Sequence, residues 1–330
     1  MILILSSKTD KGVNLVLPEL LERGLDVYWW DPGDYPASTR ITSRLVGADW
    51  RHTLVTDDAE IDCSSISAVW LRRPQRPKAA KTVEDAGYGE FVARLGRILW
   101  DGWTETLDAR WFPARLNTVL HAENKLVNLA AGARHGFLVP QTTITNDDER
   151  LVDVWAETGG RCIAKEVQLV PYELDGQEHG FYTTTLTRRH LTTRHRLAYA
   201  PVILQSRIDK AVELRITVVG EQVFTAEMHS QGSRMTRDDF RHYEGNFISY
   251  AVHDLPEDVQ RRCVELVRSL GLAFGCIDVI LTPEGEYVYL ELNPNGQWGW
   301  LEEFTDLRIS EAVADWLAAA EHAATGKVPA

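Results

Sequence analysis

The chain has 330 residues, 44% of them hydrophobic and 25% charged, and carries a net charge of −13. That length accommodates two or three subdomains around ordinary cores, and the acidic balance argues against nucleic-acid binding by the chain as a whole. Four scattered cysteines without a C-x-x-C spacing predict neither a disulfide framework nor a zinc site, in keeping with a cytoplasmic location, and no apolar run approaches the roughly 20 residues that a membrane helix needs.

Ile2–Leu5 reads as a buried strand, residues 11–23 as a helix stopped by Gly24, and Val27–Trp30 as the next strand. Residues 66–71 form a strand that runs into Arg72-Arg73-Pro74. Strand and helix alternating in this way predict a small parallel α/β unit. No glycine-rich phosphate fingerprint follows the first strand, so a dinucleotide fold of the usual type is not indicated. Helices are expected over 91–107 and 117–135, then a strand over 142–145, a helix ending at Glu157, and a strand over 161–167 that carries Lys165. A polar stretch, 172–180, precedes a Thr-rich strand over 182–187 and the arginines 188, 189, 194 and 196. A strand over 202–205 ends in Gln205. Residues 213–219 and 222–229 read as a hairpin about Gly220-Glu221, 256–270 as an amphipathic helix, and 309–322 as the closing helix. This pattern predicts an α+β body behind the α/β unit, with units spanning 1–112, 113–200 and 201–330.

The most informative stretch runs from Cys276 to Asn293. Two β-rich runs flank Pro283-Glu284-Gly285-Glu286, which is a hairpin signal. A loop centred on Glu284-Gly285 sets Asp278 opposite Glu291, with Cβ atoms about 5 Å apart. Asn293, two residues beyond Glu291, points to the same side. Like charges facing each other across a ladder repel. A hard cation between them removes the penalty, and carboxylate plus amide oxygens suit Mg²⁺ holding a nucleotide's phosphates. A solvated acidic face is the bland alternative. The interleaved apolar residues and Pro294-Asn295-Gly296 favour a site.

Lys165 lies in an apolar strand, where a lysine is costly unless paired, and phosphate oxygens are suitable partners. Lys125 lies within the helix expected over 117–135, where, for this residue alone, a solvated face is the better explanation. Gln205 ends an apolar strand before Ser206-Arg207-Ile208-Asp209, a possible hinge whose backbone could read an adenine edge while a carboxylate takes the ribose. Glu213 and Arg215 share one face of a strand. Arg215 could clamp a transferring phosphoryl group or form a plain cross-strand ion pair. His229 and His242 lie near the candidate site. No nucleophile elbow or metal-type histidine spacing is present, so catalysis by positioning and charge neutralisation, as in phosphoryl transfer, fits best.

Together, Lys165, Gln205, Glu213-Leu214-Arg215 and Asp278 with Glu291–Gly296 resemble the ATP-grasp ligase pattern. Residues 68–74 (A-V-W-L-R-R-P), 136–142 and 291–298 (E-L-N-P-N-G-Q-W) further resemble the ribosomal-peptide maturases that cyclise graspetides, the microviridin-type macrocyclases. The likeness spans most of the chain. It implies an ATP-grasp fold, mixed α/β and α+β, with an N-terminal α/β pre-ATP-grasp domain and with ATP and Mg²⁺ between the central and C-terminal units. Under it, Lys125 and Lys165 would hold the nucleotide phosphates and Gln205 and Ile208 would line the adenine pocket. Arg215 would meet the γ-phosphate or acyl phosphate, and Asp278, Glu291 and Asn293 would ligate magnesium. Asp239-Phe240-Arg241 stands where relatives often show Asp-Trp-Arg, which makes Arg241 a candidate substrate contact. The ribose contact stays open between Asp209 and Glu213.

The implied reaction phosphorylates an Asp or Glu side chain of a ribosomally made precursor peptide, and a Thr or Ser hydroxyl, or a Lys amine, then closes an ester or amide ring. The family also binds a leader segment of its substrate. Residues 172–187 with the adjacent arginines are candidates for that contact, a loop over the nucleotide being the other reading. A homodimer is a further family-level expectation. Two rivals remain: an ATP-grasp ligase joining a small carboxylate to an amine, and an ATP-binding scaffold without ligation, which intact Arg215 and the Asp/Glu/Asn set disfavour.

Overall fold

The computed structural model describes residues 1–168, 172–174, 177–180, 183–229 and 249–325. Ile2–Leu5 and Ala68–Leu71 are buried at every position, as parallel strands covered on both faces must be. They form the middle of a four-stranded parallel sheet in the order Val27–Trp30, Ile2–Leu5, Ala68–Leu71, Arg110–Phe112. The helix Lys11–Glu22 starts where Asp10 accepts a hydrogen bond from the Val13 N–H at 3.1 Å. Gly24, with φ of 70°, turns the chain out of it.

Residues 40–62 add an antiparallel sheet, Arg40–Val46, Asp49–Val55 and Glu60–Asp62, that the sequence pattern does not announce. Arg40–Val46 has no buried residue, so it lacks the apolar alternation by which a strand is recognised. The many tryptophans mostly serve the core. Trp30 meets Trp100 and Trp103 of the helix Ala86–Thr106 edge to face, with centroids 5.7 and 5.9 Å apart.

The second sheet is antiparallel, in the order Thr184–Thr185, Cys162–Glu166, Val202–Ser206, Thr142–Thr145, over a small core of its own that includes Leu151, Val154, Cys162 and Leu204. The division expected at 200/201 would detach Val202–Ser206 from the sheet in which it is an inner strand. Its partners lie about 40 and 60 residues upstream in the register, a separation that local patterns do not encode. The third sheet, also antiparallel, runs Ser249–Val252, Gln222–His229, Val212–Val219, Phe274–Leu281, Tyr287–Asn293. It shares a core with the parallel sheet: Ile2, Ile4, Trp70 and Phe112 join Phe274, Cys276, Trp298 and the helix Ile309–Thr325.

The single helix expected over 117–135 is two, Leu116–Glu123 and Lys125–Arg134. Asn124 separates them: its backbone is extended, and its side chain accepts from the N–H groups of Leu126 and Val127 at 3.0 and 3.4 Å. No helix among the described residues is long and apolar enough to cross a membrane.

All four cysteines are free and buried. Burial pushes the Cys63 thiol up to about 11 and the Cys263 thiol up to about 12, and it raises Cys162 and Cys276 as well. Since the thiolate is the reactive form, iodoacetamide at pH 8 is expected to leave the native chain unlabelled and to modify all four sites once urea unfolds it. Rapid labelling of the native chain, read by intact mass, would contradict this burial.

Candidate active site

The central strand of the third sheet, Val212–Val219, is buried at every position, so its polar members must find partners inside the protein. Arg215 lies opposite Asp278, which in turn lies opposite Glu291, and Cys276 lies opposite Asn293. The expected pairing of the two carboxylates is therefore present, although the turn differs from the one that suggests it. The hairpin closes one residue earlier than a loop centred on Glu284-Gly285: Thr282 N–H donates to Glu286 O at 3.0 Å, and Gly285 takes φ of 85°. Tyr287 then pairs with Leu281 and Tyr289 with Val279. A bulge leaves Leu290 without a partner, and that extra residue shifts the register back so that Glu291 meets Asp278.

Arg215 donates to both oxygens of Asp278, at 2.7 and 2.9 Å, and to the Gln297 carbonyl at 3.2 Å. Only 8% of it is exposed, and its Nε, also buried, has no hydrogen-bond partner among the described residues. Burial pulls its pKa down, but the Asp278 carboxylate, with Cys276 and Glu291 behind it, outweighs burial and drives the guanidinium well above its usual range. Glu291 forms an ion pair with Lys125. Lys125 reaches it because Asn124 ends one helix and starts the next, placing Lys125 at the first helical position. Nearby, burial pushes the Glu123 carboxyl up against the pull of Lys125, Arg76 and Arg73.

The residues that hold this arrangement are not singled out by pattern. Asn128, fully buried, donates to Ala122 O and Leu292 O at 2.8 Å each and accepts from the Leu292 N–H at 2.9 Å and from the Tyr289 hydroxyl. It fastens the helix Lys125–Arg134 to the strand bearing Glu291. Gly132 lets that helix approach: a Cβ there would stand 2.5 Å from the Tyr289 ring. A Cβ on Gly296 would meet Cys276 Cβ at 2.3 Å and Arg215 Nη2 at 2.8 Å, which explains the glycine of the E-L-N-P-N-G-Q-W run. The one sequence signal is that run itself. An asparagine and a glycine inside a helix announce nothing until the strand they face is known.

The W-L-R-R-P motif is also explained. Arg72 is 2% exposed, donates to Asn295 O at 2.9 Å and Gly296 O at 2.8 Å, and lies over the Trp298 ring, 4.5 Å from its centroid. Arg73 has φ of 49°, the single positive value at a non-glycine among the described residues, a conformation that costs about 1–2 kcal/mol.

On the second sheet, Lys165 pairs with Ile203 and Gln205 with Ile163, so Lys165 and Gln205 share the face opposite the small core. Gln205 is buried and donates to Thr142 Oγ1 at 2.8 Å. Ile208 is half-buried in the irregular segment that links this sheet to the third. Glu213, buried, accepts from Lys210 at 2.8 Å and lies two residues from Arg215 on the same face, whereas Asp209 is exposed and paired with Arg161 at 2.7 Å. Arg241 and His242 lie outside the described residues, and His229 is exposed beside Glu227. Tyr172–Leu174 and Gln177–His179 pair as a short antiparallel hairpin. Arg194 is paired with Asp148 and Glu149, while Arg188, Arg189 and Arg196 are exposed.

Two carboxylates and an amide oxygen suit a magnesium ion that keeps its waters and takes its remaining ligands from phosphates. Among the described residues no group of three or more His, Cys, Asp or Glu is placed for a metal.

Residues 1–118 match the family model of the MvdD pre-ATP grasp domain. The whole chain is similar to a Chryseobacterium gregarium RiPP-associated ATP-grasp ligase solved with ADP and a leader and core peptide, at 28% identity and a TM-score of 0.89 over 96% of both chains. The chain has the fold of the ATP-grasp ligases. Its fold also matches two macrocyclases of Microcystis aeruginosa. MdnC, bound with the precursor peptide MdnA, is 26% identical with a TM-score of 0.85 over 96% of this chain and 99% of that one. MdnB is 28% identical with a TM-score of 0.79 over 96% and 98%. A comparison with the curated proteins returned no match. The resemblance to peptide-cyclising ATP-grasp enzymes, and the ATP-grasp fold with a pre-ATP-grasp domain, are thus borne out.

Proposed function

We propose that this chain is an ATP-grasp ligase that closes rings in a ribosomally made precursor peptide, joining Asp or Glu side chains to Thr or Ser hydroxyls or to Lys amines. The observation that carries the reading is the Arg215–Asp278–Glu291 row across three adjacent strands, within a chain similar over its whole length to a ligase that holds ADP, leader and core peptide. ATP binds between the second and third sheets. Lys165 and Lys125 face its phosphates, Gln205 and Ile208 line the adenine pocket, and Glu213, buried on the strand that bears Arg215, rather than exposed Asp209, takes the ribose. Asp278, Glu291 and Asn293 hold the magnesium, which neutralises the charge between the phosphates and the incoming carboxylate.

A carboxylate oxygen of the peptide attacks the γ-phosphorus and ADP leaves, giving an acyl phosphate. Arg215, already fixed by Asp278 and the Gln297 carbonyl, meets the transferring group without a costly reorganisation. A hydroxyl or amine of the same peptide then attacks the acyl carbon and phosphate leaves, so each ring removes the elements of one water. Arg241 contributes to substrate contact. The hairpin within 172–187 and the exposed Arg188, Arg189 and Arg196 take an acidic segment of the peptide. The deciding experiment incubates the chain with ATP, Mg²⁺ and short Thr- and Asp/Glu-rich peptides. Loss of one water mass per ring, matched by ADP, is expected. ADP release with free amino acids and none with peptide would instead favour a small-molecule ligase.

A homodimer is part of the proposal. Tyr88, Phe91, Leu95 and Ile98 recur at three- and four-residue spacing on the helix Ala86–Thr106 and are 51–60% exposed, on the side away from buried Ala93, Gly96, Trp100 and Trp103. Replacing Phe91 and Leu95 together with aspartate is expected to halve the mass measured by light scattering. A double variant that keeps the wild-type mass would remove this face from consideration.

A further inference from the structure

The geometry points to Arg72 as a positioning residue for the magnesium ligands, acting from the pre-ATP-grasp domain; this rests on the metal reading of Glu291 and Asn293 given above. Arg72 follows the strand Ala68–Leu71, and its own N–H is tied to Leu5 O at 2.9 Å, so the base of the side chain belongs to the parallel sheet. Its tip belongs to the third sheet's last connection. Nη1 donates to the carbonyls of Asn295 and Gly296. The Asn295 N–H in turn donates to Asn293 Oδ1 at 3.1 Å, which leads from Arg72 to the amide oxygen of a proposed ligand in two hydrogen bonds. Arg215 holds the next carbonyl, Gln297 O, from the other side. Carbonyls 295 to 297 are therefore clamped by two buried arginines from two different sheets.

The clamp is built for that one side chain. Asp10 supplies a carboxylate oxygen 3.4 Å from Arg72 Nε, and the Trp298 ring lies beneath the guanidinium. Gly12 leaves the space, since a Cβ there would stand 3.1 Å from Arg72 Nη2. The strained Arg73 that follows shows that the chain is held in place on both sides of this residue. A planar group that reaches two carbonyls through Nη1 and the Asp10 carboxylate through Nε while stacking on an indole is beyond lysine.

The test compares the full-length wild type with R72K and D10N by calorimetric titration of ADP, once with Mg²⁺ and once with EDTA. Asparagine retains the helix cap that Asp10 provides, so D10N weakens only the hold on Arg72 and remains informative should R72K fold poorly. Affinity for ADP in EDTA is expected to stay within about twofold of wild type. The gain in affinity that Mg²⁺ confers is expected to fall by about tenfold in R72K, the scale set by losing support behind a metal ligand, and by less in D10N. A merely structural role would move both titrations together. Undiminished Mg²⁺ gain in both variants would overturn the assignment and leave the ligase reading standing. A wild type whose ADP affinity ignores Mg²⁺ would overturn both.

Discussion

Changing Glu291 to alanine is expected to lower ATP-dependent turnover on the order of a thousandfold, the scale of removing a preorganised electrostatic group from a transition state, while stability stays within about 1 kcal/mol of wild type. The two effects separate because Glu291 faces Asp278 across the ladder and is paired with Lys125. Alanine relieves a like-charge opposition and forfeits an ion pair whose members are both partly solvated, and these terms offset. ADP release and peptide mass measure the first effect, calorimetric Tm the second. Wild-type turnover by this variant would end the proposal that Glu291 holds a metal.

Arg215→Ala is expected to cost both function and fold, about 3–5 kcal/mol in urea unfolding. It strips a half-buried carboxylate of its bidentate partner, and Asp278 is left with little access to water. The double variant Arg215→Ala/Asp278→Ala is expected to lose less stability than the sum of the singles, by about 1–3 kcal/mol, because removing both groups leaves neither charge facing the gap left by the other. Strict additivity would mean that the pair contributes no coupling, and Asp278 would then have another principal partner. Turnover falls in all three variants.

Much of this site is legible in the amino-acid order. Asp278, Glu291 and Asn293 stand out because a strand pair has a period of two and a hairpin has a short turn, so local residues define which side chains meet. Even so, the pairing arises through two departures, a tighter turn and a bulge at Leu290, that offset each other. Glu213 and Arg215 are legible for the same reason of alternation. The helix over 117–135 is not divided correctly by pattern, since Asn124 acts as a cap only by leaving helical geometry, and its neighbours favour helix on both sides. The exposed strand Arg40–Val46 is invisible because it has no buried face to pattern.

What the amino-acid order determined unaided is the set of local devices: apolar parallel strands, caps, the acidic hairpin, and the motifs that resemble ATP-grasp peptide maturases. What only tertiary structure decided is which distant groups those devices meet. Lys125 reaches Glu291 from 166 positions away, Arg72 reaches Asn295 from 223, and Val202–Ser206 joins a sheet begun some 60 residues earlier. Periodicity is a property of neighbours along the chain, whereas desolvated ion pairs and shared carbonyls depend on how packed sheets bring remote segments together, and that information is carried by the core as a whole.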